Sequence, residues 1–320
     1  MPDTSTTAND ELRQALISDG SVVCFGFLTY CLLLVVETYP SKNDGSPIRE
    51  VIDAFGDDAA IVASILSRWK VPTTLTSSPV GEDFYGAKVA KQLRASGLAV
   101  DERVKSGVVT PLEVGIVDPS GSRTYFQRRS AEALLALEPP SLAQLSGARM
   151  LYVDWYDGPV VPVAIERARS QGVPVFLNLE SRYYDNPQLP ELLEGTNVCQ
   201  VSMDEPGAPG EAIEIARTLI DRGTSTALVT MGANGCTVAE KGQAFFIRPP
   251  KVKVIDGYGA GAAFSAGVIY GLMLGWSLER VARFATAHSG LKCGVMGNVT
   301  FPIEDIQKVA AGLDFRTIDR

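Results

Sequence analysis

Histidine is almost missing from this chain: among 320 residues there is one, His288. Multi-histidine metal sites are thereby excluded, and a Ser-His-Asp triad is disfavoured. Cysteine is sparse as well. Cys24, Cys31, Cys199, Cys236 and Cys293 are odd in number, widely spaced and without a Cys-x-x-Cys pair. A disulfide framework or zinc site is not expected, and a reducing cytoplasm fits. Basic charge is in deficit, with 29 Lys and Arg against 37 Asp and Glu and a net charge of -8. That argues against a nucleic-acid partner. The one long apolar run, Val22 to Val36, is shorter than the ~20 residues a membrane helix needs. It follows Asp3, Asp10, Glu11 and Asp19 rather than a basic leader, so neither a signal peptide nor a membrane role is expected. Its Val, Phe, Leu and Tyr content suits buried strands instead. No repeat, low-complexity tract or linker interrupts the sequence.

What is present describes a folded globular protein: 46% hydrophobic and 21% charged residues. Strands are expected over Val22–Gly26, Val71–Thr76, Met150–Asp154, Val173–Leu177 and Ser225–Thr230. Helices are expected over Ala59–Trp69, Phe84–Ser96, Val160–Ser170 and Gly210–Arg222, with two more, Gly261–Leu274 and Ser277–Cys293, closing the chain. Residues 1–20 read as a polar leader with a short helix, and Gly235–Arg248 as a hairpin. Strand-helix alternation implies right-handed crossovers and a mostly parallel sheet covered by helices. Residues 30–53 and 107–129 break that rhythm and read as a small β appendage over the carboxyl edge of the sheet, within a single domain spanning 1–320.

Two glycine-rich stretches carry chemistry. In "DGYGAGAAFSAG", Asp256 to Gly267, Gly259-Ala260-Gly261 precedes an apolar helix. Amides at a helix start are unpaired, and the dipole there favours anions; a tight turn required by packing reads equally well. In "VTMGANGC", Val229 to Cys236, a strand runs through Thr230 into Gly232 and Gly235. Glycines let backbone amides approach a phosphate, though a plain hairpin turn has the same residues.

Together, in this order and spacing, the two stretches resemble the "TxGxxG" and "DTxGAGDAF" motifs of the ribokinase/PfkB carbohydrate kinases. "GIVDPSGSRTYFQRR", "LKCGVMG", "VETYP" and "VSMDE" are most similar to the ketohexokinase branch. The resemblance implies a three-layer ribokinase-like α/β fold with a small β lid, often paired into a homodimer. It also implies ATP and Mg²⁺ as cofactors and transfer of the γ-phosphate to a sugar hydroxyl. By the same resemblance Gly259, Ala260 and Gly261 form the anion hole, and Thr230, Gly232 and Gly235 the nucleotide phosphate turn. Ser289 and Cys293 fall where the family packs adenine, or simply pack their helix. Glu205 matches the glutamate that organises Mg²⁺, or is a solvated loop residue. Nothing in the family pattern asks for His288, which is expected to be packed or solvated.

The acceptor side departs from the family. Its catalytic Asp is replaced by Ala262, its sugar-binding Asp by Cys31, and its "GGNxxN" motif by "GDDAAI", which places Asp57, Asp58 and Ile61 after Gly56. Losing a general base costs about 10²–10⁴ in rate. The first reading is a nucleotide-binding relative with lost or weakened phosphoryl transfer. The second is an active kinase with a repurposed pocket, in which Asp57 or Asp58 replaces the lost carboxylate; these two residues read equally well as a helix cap and first-turn acid. A non-enzymatic small-molecule binding module is the third.

Overall fold

The computed structural model describes residues 16, 19–99, 103–119, 121, 123–154, 159–181, 186–203 and 209–318. Most of the expected leader lies outside these residues. The described chain begins β1 (Val22–Gly26), β2 (Thr29–Val36), β3 (Ile48–Gly56), α1 (Asp58–Arg68), β4 (Thr73–Ser77), β5 (Val80–Gly81), α2 (Phe84–Ala95), β6 (Val104–Lys105), β7 (Leu112–Val117) and β8 (Arg123–Arg128). Two short helices, α3 (Ala131–Leu135) and α4 (Leu142–Leu145), lead to β9 (Met150–Asp154), α5 (Val160–Ser170), β10 (Val175–Asn178), α6 (Leu189–Glu194), β11 (Val198–Ser202), α7 (Pro209–Asp221) and β12 (Thr226–Thr230). The hairpin β13 (Cys236–Glu240) and β14 (Gln243–Ile247) follows, then α8 (Ala260–Met273), α9 (Leu278–Cys293), α10 (Ile303–Ala311) and β15 (Phe315–Thr317).

The nine-stranded main sheet has the order β15-β14-β13-β12-β11-β10-β9-β1-β4. Pairing from β4 through β12 is parallel, and the remaining three strands run antiparallel. The parallel strands are covered on both faces, so each reads as an unbroken apolar run rather than an alternation. Alternate residues still part company: Val22 and Cys24 of β1 join one core, Val23 and Phe25 the other. On the first face α8 is apolar all round and nearly wholly buried, as a helix sandwiched between sheet and neighbour must be. It meets α9 closely enough that a Cβ on Gly267 would stand 2.8 Å from Ala285 Cα.

The run Val22–Val36 is divided between two sheets. β1 lies in the main sheet, while β2 joins a separate four-stranded sheet in the order β3-β2-β7-β8. There β2 runs parallel to β7 and antiparallel to β3, and β7 and β8 form an antiparallel hairpin. Both edge strands of this sheet are largely exposed, with Ile48, Val51 and Phe126 in solvent.

Some elements differ from the sequence reading. The chain does not close with α9: α10 and β15 follow, β15 extending the sheet by pairing with β14. β11 and α6 were not expected either. Both are short, and β11 alternates apolar residues with Gln200 and Ser202, which weakened its apolar signal.

Candidate active site

The parallel strands end together, and their carboxyl ends face the starts of α1 and α8. Gly259 caps α8 in the left-handed region at φ 72, with no side-chain cap hydrogen bond. A left-handed backbone favours glycine. Ala260 N donates to Gly257 O; the other first-turn amides are the ones a helix start leaves open to an anion. The cradle is held from behind by Asp256. Its Oδ1 accepts from Tyr258 N at 2.8 Å, and its Oδ2 from Gly297 N and Lys292 Nζ, both at 3.0 Å. Lys292 also donates to Asp256 O and Val295 O, so its three ammonium protons are all used. Burial pushes Lys292 below the usual lysine range, opposed by the Asp256 charge. The sequence reading missed this pair, although Asp256 lies within the motif and Lys292 within "LKCGVMG".

Of the residues named for the acceptor side, Ile61 and Asp58 reach the cradle, and Cys31 lies beside Gly56. Ile61 Cδ1 lies 3.4 Å from the Cβ place of Gly259, Asp58 Oδ2 lies 3.4 Å from that of Gly261, and Cys31 Cβ lies 3.7 Å from that of Gly56. Cys31 and Ala262 are fully buried and Ile61 is nearly so. Tyr258 fills much of the intervening space. Its hydroxyl reaches 2.5 Å from the Cβ place of Gly56 and donates to Phe55 O at 3.4 Å. Cys31 Sγ sits 3.6 Å from Glu113 Oε1, and burial first, then the Glu113 charge, raises the thiol. A neutral thiol is the form that shares this space. Asp57 holds φ 68 and ψ 144, a region favourable only for glycine. Asp57 does stand at the helix cap position, but its side chain makes no cap bond.

Beneath the cradle runs a polar row the sequence reading missed. Asp154, Asn178 and Gln200 are register partners on β9, β10 and β11, so their side chains leave the sheet on one face. All three are buried. Asp154 Oδ2 accepts from Asp58 N at 2.9 Å, and Asn178 Nδ2 donates to Asp58 Oδ2 at 3.0 Å. Ser265 of α8 donates to Gln200 Oε1 at 2.9 Å. Desolvation, then the neighbouring carboxylates, raises Asp58 and Asp154 well above the usual carboxylate range. Asp57 rises to about 6, chiefly by desolvation, with Arg129 opposing and Glu113 adding. A polar residue in each of three adjacent apolar strands, last in β9 and β10 and central in β11, is the signal that could have found the row.

On the nucleotide side, Thr230 ends β12 and its hydroxyl shares a 3.1 Å hydrogen bond with Ser202. Gly232–Asn234 forms one 3₁₀ turn closed by Met231 N to Gly235 O. Gly235 at φ 97 is required by packing, because a Cβ would meet Ile247 O at 2.2 Å, whereas the Cβ place of Gly232 is open. Ser289 and Cys293 lie one turn apart on α9, both half-buried. Cys293 O accepts from Ile255 N and Asp256 N, which ties α9 to the cradle. His288 is fully buried. Its Nδ1 lies 2.7 Å from Ala263 O, and burial lowers its pKa to about 4, so the neutral ring donates there. Glu205 lies outside the described residues. Among the described residues no group of three or more His, Cys, Asp or Glu could hold a metal ion, and no helix is long and apolar enough to cross a membrane.

This architecture defines the class: a ribokinase-like α/β fold. The ribokinase of Arabidopsis thaliana complexed with ribose and ATP superposes with TM-score 0.76 at 20% identity, covering 92% of this chain and 99% of that one. The nucleoside kinase of Methanocaldococcus jannaschii, an archaeal member of the ribokinase family, superposes with TM-score 0.71 at 20% identity over 92% of this chain and 98% of that one. In sequence, the nucleoside kinase of Methanothermobacter thermautotrophicus is 24% identical over 283 residues, which is 84% of this chain and 88% of that protein. The profile of the pfkB family carbohydrate kinases matches residues 19–305, and the chain belongs to that family.

Proposed function

We propose that this protein binds ATP as its family does but has lost or greatly weakened phosphoryl transfer to ordinary sugars. The observation that carries this reading is Ala262, fully buried in the first turn of a helix whose start has no side-chain cap hydrogen bond. Backbone amides and the helix dipole hold an anion without any side chain, whereas proton removal from an acceptor hydroxyl needs one. The phosphates would lie against Gly259–Gly261. The nucleotide would run past the Thr230–Gly235 turn to Ser289 and Cys293, with Mg²⁺ carried on the phosphates and Glu205 organising it. When bound, ATP supplies the transferable γ-phosphoryl group and Mg²⁺ neutralises its charge. Cys31 and Ile61 offer a sugar neither charge nor strong hydrogen bonds, and Tyr258 takes up space beside them.

The second sheet would act as a lid over this site, as in a ketohexokinase-like chain. Its exposed Ile48, Val51 and Phe126 would pair in a homodimer, since open strand edges favour a partner. A second reading is favoured by one distance: Asp58 Oδ2 lies 3.4 Å from the Cβ place of Gly261, the residue before Ala262. In that reading Asp58 replaces it in an active kinase. Isothermal titration with ATP·Mg²⁺ and an ATP analogue, followed by a phosphate-transfer screen over ketoses and aldoses, separates the two. Binding with background turnover supports the first; turnover of about 1–100 per second that vanishes in Asp58→Asn supports the second.

A further inference from the structure

We infer that a cavity at the far end of α8 from the cradle is a second ligand site, and that it binds a planar aromatic carboxylate. The inference stands apart from the nucleotide reading.

The cavity has a volume of about 490 Å³, within the range of small-molecule sites. Trp69 and Tyr270 line it, with ring centroids 5.2 Å apart and planes at 63°. The indole is held in place, since its Nε1 donates to Phe301 O at 2.9 Å. Val71, Pro72 and Met273 add apolar surface. Lys70 and Leu274, both exposed, stand at the mouth. α8 starts at Ala260 beside the cradle, and Tyr270, Met273 and Leu274 form its other end. At 1.5 Å per residue the cavity therefore lies about 15–20 Å from the cradle.

Charge selects an anion. Among the described residues the lining carries two cations, Lys70 and Arg149, and no acid, in a chain of net charge -8. Asp19, exposed and outside the lining, is the acid whose charge reaches Arg149. The carbonyls ending α8 would repel an anion, but Arg149 Nη2 donates to Met273 O at 3.0 Å and offsets them. Nε and Nη2 also donate to Leu16 O, and Nη1 carries no bond among the described residues. An arginine fork matches a carboxylate in plane and spacing, and aromatic faces suit a planar ring.

The turn that carries Lys70 is an independent sign. Lys70 holds φ 64, its N donates to Ser67 O, and Val71 N donates to Leu66 O. This is the Schellman helix ending, in which glycine is usual. At the same place α2, α5, α7 and α8 have Gly97, Gly172, Gly223 and Gly275, all at positive φ. α1 has a lysine there, although a left-handed backbone disfavours a side chain. Stability alone would choose glycine; a cation at the mouth of the cavity gives the lysine a use.

The test is isothermal titration of the full chain with naphthoate, its neutral counterpart naphthylmethanol, and cyclohexanecarboxylate. Naphthoate is expected to bind about tenfold or more tighter than the alcohol, since each of two partly exposed ion pairs is worth up to about fivefold. It should also exceed the saturated acid, which cannot stack on Trp69 or Tyr270. Lys70→Gly keeps the turn and removes the charge. In it naphthoate should weaken about fivefold, the alcohol should bind as before, and the melting temperature should not fall. Leu274→Trp should fill the mouth and abolish binding of both aromatic probes. Equal affinity for naphthoate and the alcohol would overturn the proposal. So would no binding of any probe, or naphthoate binding that both variants leave unchanged. ATP that displaces naphthoate, together with undiminished naphthoate binding in Leu274→Trp, would put the probe in the cradle and overturn it as well. If Leu274→Trp fails to fold, Lys70→Gly decides by itself.

Discussion

Replacing Asp57 with glycine should stabilise the protein, and more so in alkali than in acid. Two costs meet at this residue. Its backbone holds φ 68 and ψ 144, and such a conformation costs a non-glycine residue about 1–3 kcal/mol. Its carboxyl is raised from 3.8 to about 6, first by desolvation, with Oδ2 enclosed. A folded-state pKa above the unfolded value means that the fold favours the protonated form. Stability from this group is therefore present below pH 3.8 and is lost as pH rises through 6. At pH 8 the full loss is about 3 kcal/mol and at pH 5 about half of that; partial exposure of the residue and coupling to its neighbours reduce both. Glycine gives back about 0.4–1 kcal/mol through the entropy of the unfolded chain. The net gain expected for Asp57→Gly is about 2–4 kcal/mol at pH 8. For a chain of 320 residues that is a rise in Tm of roughly 3–6 °C. Calorimetric melting at pH 5 and pH 8, with Asp57→Asn as the control that removes charge but keeps the side chain, reads both terms. A destabilised Asp57→Gly, or a gain equal at the two pH values, would refute the reasoning.

Gly261→Val should weaken ATP binding, because it places methyl groups beside Asp58 Oδ2 at the helix start; titration of a folded variant with unchanged affinity would count against the cradle. Ala262→Asp alone should leave sugar phosphorylation near background, since an unheld acceptor can cost about 10²-fold. The combined change Cys31→Asp, Ile61→Asn, Ala262→Asp is the rescue to assay by phosphate transfer. Lys292→Met strands Asp256 in the interior, where breaking a buried pair costs about 3–5 kcal/mol; a urea midpoint shifted by under 1 kcal/mol would argue that the pair is dispensable. His288, lowered to about 4 by burial, is a base that the fold keeps neutral, so its contribution is full above pH 6.5 and falls toward pH 4, by about 3 kcal/mol. Between pH 7 and pH 4 the loss of stability should be smaller in His288→Leu than in the wild type by up to that amount, read from urea midpoints at the two pH values; an unchanged difference would refute it.

The order of apolar strands and amphipathic helices was legible in the sequence because each parallel strand is buried on both faces and keeps its run of Val, Leu and Phe. Phe84–Ser96 and Val160–Ser170 were read to within a residue for a related reason: capping and helical spacing are local. The glycine pattern was legible too, since Gly235 and Gly259 answer to backbone geometry that no other residue meets cheaply. Short elements were not: Leu189–Glu194 and Val198–Ser202 carry too few residues for periodicity to speak. Only the tertiary structure decided that Val22–Val36 is divided between two sheets. Only it brought Asp58, from the start of one helix, to the start of another some two hundred positions away. The polar row is the clearest case. Asp154 and Asn178 end their strands and Gln200 stands in the middle of its own, and it is the parallel register that aligns these single polar letters at one depth under one helix. Sequence fixes a strand's own alternation of faces; which residue of a distant strand lies beside it is set by pairing, and pairing by the packing of the whole sheet.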